Sequence, residues 1–171
     1  ASNWINDYSY KRAKDERHET ILQVEAENRK REEEKRSEER CKFKAASLIF
    51  IDELQRVQAA IEVGISLDKY LEKLQDLSFS HKKWRETKGE TQTGNNTTAQ
   101  NLEEAFKEFF DAKDIWATVN KEKVEMAMET KESVIREHKE HVTQFEEILR
   151  GHWRAAGEAI QNAKIALKLG D

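Results

Sequence analysis

His138 and His141 stand three residues apart, and Glu137 precedes His141 by four. On a helix that spacing puts two or three ligand-type side chains on neighbouring surface positions. Neutral imidazoles so placed can bind zinc or copper, which makes His138 and His141 the candidate metal ligands of this chain. A plainer account stands beside that one. His138 follows the apolar stripe of its segment and reads as a partly buried, hydrogen-bonded histidine, whereas His141 lies beside the stripe among Lys139 and Glu140 as a solvated one. The carboxylate-bridged di-metal signature of helical bundles requires a Glu-x-x-His pair on each of two helices. Here the residues three before each histidine are Asp15, Ser78, Ile135, His138 and Leu149, so that signature is missing.

Nucleophilic chemistry has little to work with. Cys41, the single cysteine, is flanked by Glu38, Glu39, Arg40 and Lys42, and nothing in the sequence designates the base that a reactive thiol needs. A small buried apolar residue is the expectation for it. Ser47, Ser66, Ser78, Ser80 and Ser133 fall in helix interiors or caps, with no Gly-x-Ser-x-Gly elbow. Walker and Gly-x-Gly-x-x-Gly patterns and the Cys-x-x-Cys-His of covalent haem are all absent, so no cofactor is expected and the chain reads as a non-enzyme. The basic run Lys11, Arg12, Lys14, Arg17 is interleaved with Asp15, Glu16 and Glu19, which cancels the field a phosphate backbone would respond to. No nucleic-acid partner is expected.

Composition says what kind of scaffold would carry these side chains. The 171 residues hold no Pro and 6 Gly, against roughly 8 and 12 at ordinary usage of about 5% and 7%. Such depletion opposes a many-turned sandwich or barrel and favours a few long helices. A lone cysteine excludes an intramolecular disulfide framework. With 30 Lys and Arg against 34 Asp and Glu the net charge is −4, far from a globally basic binder. No window holds the 18 or so apolar residues that a membrane-spanning helix needs.

Polarity changes abruptly at Cys41. From Lys11 to Lys42, 21 of 32 residues are charged, and none between Ala26 and Cys41 is apolar. Packing alone cannot order such a segment. Acid-before-base pairs at i,i+4 (Glu25–Arg29, Glu27–Arg31, Glu32–Arg36) support a helix by about 0.2–0.5 kcal/mol each, and no Pro or Gly occurs before Gly64. Residues 1–40 therefore read as a charged helical stalk continuous with the first core helix. Disorder is the alternative, and a coiled coil fits poorly because apolar heptads are missing.

Residues 41–171 read as the bundle domain. Phe43, Ala46, Phe50, Leu54, Val57, Ile61 and Ile65 recur every three or four positions, widened by Leu48 and Ile51. Gly64 marks the end of this helix and Ser66 caps the next, which carries Leu67, Tyr70, Leu74, Leu77, His81 and Trp84 on one face. Residues 87–100 read as a polar loop, in which Asn95 or Asn96 formally fits a glycosylation pattern. A third helix starts near Asn101 with the stripe Leu102, Ala105, Phe106, Phe109, Ala112, Trp116. Between 119 and 133 the pattern permits either continued helix or a restart at Asn120 or Thr130. A last long stripe runs from Val134 through Val142, Leu149 and Ala156 to Leu167, interrupted by Gly151 and Gly157, which close helix approach or local bending would explain. Trp116 and Trp153 each sit among small residues, suited to core packing or to lining a cleft.

The expected fold is all-α: an antiparallel four-helix bundle with a long, charged N-terminal helical extension. The expected function is a non-catalytic helical interaction or spacer module that presents helix faces to a protein partner. Trp4, Tyr8 and Tyr10 beside the basic run resemble a juxtamembrane flank. A membrane tether upstream of Ala1 and an extracytoplasmic placement fit that flank better than a cytoplasmic one. The alternative is an extracytoplasmic bundle that senses a small molecule or a metal. Oligomeric state is left open, with self-association through residues 1–10 as one route.

Overall fold

The computed structural model describes residues 2–88 and 96–169. It contains four helices, α1 (Ser2–Val63), α2 (Leu67–Glu86), α3 (Thr97–Met128) and α4 (Glu132–Lys168), and no strand among the described residues. The chain divides into two compact units, Ala1–Lys42 and Phe43–Asp171, with the boundary inside α1.

In the first unit every described side chain from Asn3 to Lys42 is exposed except Glu39, which is half-buried. Cys41 is exposed as well, contrary to the expectation of a small buried residue. The apolar stripe begins only two residues later, so nothing there gives the thiol a surface to pack on. Of the three acid-before-base pairs, none closes to ion-pair distance among the described residues; Arg29 instead donates to the Glu25 carbonyl at 3.5 Å. The ion pair that does form joins Arg12 Nε to Glu16 Oε1 at 3.3 Å. Trp4 and Tyr8 stack one turn apart, with ring centroids 6.2 Å apart.

The second unit is the bundle. α1 ends where Gly64, at φ +91°, takes a left-handed conformation and donates to the carbonyls of Ala60 and Ile61. A side chain at that φ would be strained, which is why a glycine closes this helix. Two residues on, the Ser66 hydroxyl accepts from the Lys69 N–H and starts α2. Asn96 does the same for α3, accepting from Ala99 N–H at 2.9 Å, so that helix begins at Thr97 rather than near Asn101. The expected loop over 87–100 shrinks accordingly, and its residues 89–95 lie outside the described part. Neither Asn120 nor Thr130 begins a helix. α3 runs on to Met128, and the Glu129 carboxylate accepts from the N–H groups of Thr130 and Lys131 in the turn before α4, whose N-cap residue Lys131 makes no side-chain cap bond.

Contacts between helices fix an up-down-up-down order. Trp84 of α2 donates from Nε1 to the Ser47 Oγ of α1 at 2.9 Å and stacks on Phe50 at 5.1 Å. Nearer the α1–α2 turn, Tyr70 donates to the Phe109 carbonyl of α3 and meets Trp116 and Trp153. Burial drives the Tyr70 hydroxyl far above its ordinary value, with the Trp153 indole opposing more weakly. Trp116 and Trp153 meet edge to face at 5.4 Å and both pack, half-buried, against the core. Phe43, Phe50, Leu54, Tyr70, Trp84, Leu102, Phe109 and Ile160 are almost wholly inaccessible. Leu48 lies outside this core, and its neighbour Ser47 occupies the inward position instead. Gly157 leaves room for Gln58 of α1, whose Nε2 would lie 2.9 Å from an added Cβ; nothing stands within 4 Å of such a Cβ at Gly151.

Beyond the layer of Tyr70, Trp116 and Trp153, α3 and α4 continue as a hairpin. Residues 117–128 rise about 18 Å at 1.5 Å per residue. Val119 and Val142 are buried there, apart from the main core cluster.

Candidate functional site: histidine–carboxylate contacts along the third helix

Three carboxylates of α3 each receive a histidine from a neighbouring helix. His81 Nε2 of α2 lies 2.8 Å from Glu103 Oε2, while His152 Nδ1 and His138 Nδ1 of α4 lie 2.5 and 2.6 Å from the Oε2 atoms of Glu108 and Glu122. Glu108 and Glu122 are fourteen residues apart on α3, as are His138 and His152 on α4, and the two series run in opposite directions. Fourteen residues are two heptads, so both pairs fall on the same antiparallel seam.

The three pairs differ in their surroundings. His81 is sandwiched flat on Phe106, with ring centroids 3.8 Å apart and planes inclined by 4°. Burial alone pushes the Glu103 carboxyl up, but the His81 hydrogen bond and the charges of His81, Arg85 and Lys88 together hold it below the usual carboxylate range. Glu108 is likewise raised by burial and pulled lower overall by the hydrogen bonds of His152 and Glu104 and the charges of His152 and Lys107. Glu122 is the exception in its partners: the His138 hydrogen bond lowers its carboxyl most, and His141 adds to that. The same bond raises His138 above the ordinary imidazole value.

Glu122 gathers two histidines on one oxygen. His141 Nδ1 lies 3.6 Å from the Oε2 atom that His138 already holds at 2.6 Å. Ligand-type atoms of Glu122, His138 and His141 all fall within 4.8 Å of one another. Glu125 Oε2 stands 3.9 Å from His138 Nδ1, and Lys123 turns away to Glu146 at 3.0 Å. The Glu122 and His138 side chains retain less than a fifth of their exposure, and His141 retains 44%. These three residues occupy the seam between Val119 and Val142 on one side and the half-buried Met126 and Val134 on the other.

His138 and His141 therefore lie together, as their i,i+3 spacing requires, and converge on a third residue that the sequence reading did not single out. Glu137, four before His141, is exposed. Glu103, Glu108 and Glu122 carry one sequence signal only: a histidine on an apolar stripe needs an acceptor from an opposing helix, which spacing within its own helix cannot supply.

No family model matches the chain, and neither the curated proteins nor the solved structures compared with it show a match. No described helix is long and apolar enough to cross a membrane.

Proposed function

We propose that this chain is a non-catalytic helical interaction and spacer module that offers the exposed faces of α1 to a protein partner. The observation that carries the reading is the surface of residues 3–42: forty consecutive helical residues with no buried side chain. Trp4, Tyr8 and Tyr10 are each at least 60% exposed on it. Aromatic side chains are enriched at interfaces, where they contribute large contact areas at small conformational cost. The mixed charges that follow suit a protein partner better than a nucleic acid, because their field cancels within a few ångströms. A membrane tether upstream of Ala1 belongs to the same reading, with the Trp–Tyr group and Lys11, Arg12, Lys14 and Arg17 as its flank.

Site-specific photocrosslinking tests this. A crosslinker replacing Tyr8 or Leu22 in the native host should give one discrete protein adduct, and the same probe replacing Gln161 on the exposed face of α4 should not. Absence of any adduct from both positions in residues 2–42 overturns the proposal.

A further inference from the structure

We propose that Glu122, His138 and His141 form a binding site for one divalent transition-metal ion of the zinc class, placed where α3 and α4 continue past the four-helix core. The site does not depend on whether α1 engages a partner.

The three histidine–carboxylate contacts differ in how many imidazoles they gather. At Glu103 and at Glu108 a single imidazole meets the carboxylate. At Glu122 two imidazoles present Nδ1 to the same carboxylate oxygen, at 2.6 and 3.6 Å. Each imidazole can donate its own Nδ1–H to that oxygen, which has room for two donors. With those protons released, the same three atoms can surround a cation instead, since a tetrahedral zinc ion with ligand bonds of about 2.0–2.1 Å separates its ligands by about 3.3 Å. The 3.6 Å contact is already close to that spacing, and the 2.6 Å contact has only to lengthen.

Donor chemistry narrows the ion. Two imidazoles and one carboxylate suit zinc and its neighbours in the transition series, whereas magnesium and calcium call for oxygen-rich shells. Helix geometry supplies rigidity: His138 and His141 come from successive positions of one helix face, and Glu122 comes from the helix packed against it. Three protein ligands leave a fourth position, for which the half-exposed Glu125 offers a carboxylate 3.9 Å from His138 Nδ1. The consequence is mechanical. Metal would join α3 to α4 in the stretch where they lack the support of the main core cluster.

Calorimetric titration of the full, tag-free, chelator-treated chain with zinc chloride at pH 7.5 is the test. One equivalent should bind with a dissociation constant of about 1 µM or tighter. Cobalt in place of zinc should give the visible absorption of a tetrahedral site. His141→Ala removes a side chain that is 44% exposed and leaves the His138–Glu122 pair in place, so the urea midpoint of the metal-free chain should stay put. The variant should weaken zinc binding about tenfold or more. Glu122→Gln should do the same, while Cys41→Ser, which removes the exposed thiol, should leave binding unchanged. Failure to bind one equivalent, or binding by His141→Ala and Glu122→Gln as tight as in the parent, overturns the proposal.

Discussion

α1 is one helix by its backbone and two by its physics. Between Phe43 and Val63 it sets Phe43, Ser47, Phe50, Ile51, Leu54 and Val57 into the core, while between Asn3 and Lys42 no residue is buried. Both parts satisfy their amide and carbonyl groups within the helix, so backbone hydrogen bonding does not distinguish them. Burial does. Most helix stability in proteins comes from packing an apolar face, and only the later part has one. The earlier part relies on what remains: strong helix formers such as Glu, Lys, Arg and Ala, freedom from Pro and Gly, and local charge pairs. Continuity of a helix therefore says nothing about uniformity of its stability.

Removing one aromatic from the packed part should show this most strongly. Phe50 is 1% exposed and touches Trp84, His81 and Phe106, so Phe50→Ala should cost about 3–5 kcal/mol in urea denaturation followed by tryptophan fluorescence. Leu22→Ala, at a site 47% exposed, should change stability by no more than about 0.5 kcal/mol. Comparable costs at the two sites would break the distinction between the two parts of α1. A subtler version targets the polar residue in the packed part. Ser47→Ala strands the buried Trp84 indole N–H and should cost about 1–3 kcal/mol.

The four amphipathic segments, the Gly64 stop and the Ser66 cap were legible in the residues because each rests on spacing or turn chemistry within a single segment. What was not legible depends on opposing helices. Ser47 lies on the inward arc between Phe43 and Phe50, and what lets a polar side chain be buried there is the Trp84 indole N–H of the opposing helix. Thr98 is buried near the start of α3, so a polar run that resembles a loop is in part helix. Glu122 joins His138 and His141 only through the register of α3 against α4. His138 and His141 themselves were legible as neighbours; the residue that makes them converge was not.

Acid sharpens the comparison, because the carboxylates bound to histidine belong to the packed unit. Glu103 sits below its ordinary value in the fold, since His81, Arg85 and Lys88 together outweigh the effect of burial. A group whose folded value is depressed adds stability that is fully present above its unfolded value, about 4.3, and is lost as pH falls through the folded one. Denaturation midpoints should therefore decline below about pH 4.5. Glu103→Gln should flatten that decline while lowering the plateau at neutral pH. An unchanged acid limb in the variant would remove Glu103 from this role.

The smallest effect is expected in the exposed part of α1, and its smallness is the point. Arg12 and Glu16 form an ion pair at 3.3 Å with both side chains about two-thirds exposed. Water screens such a pair and its side chains lose rotamer freedom, so its worth is about 0.5 kcal/mol or less. A double-mutant cycle with Arg12→Ala and Glu16→Ala, read by amide hydrogen exchange over residues 12–20, should show a coupling of about twofold at most, fading in 1 M salt as the screening length shrinks to about 3 Å. The urea midpoint of the bundle should not move. A tenfold coupling would mean that the pair is shielded from water by something lying on this helix. The free chain would then already be covering the surface that the proposed partner is meant to find exposed.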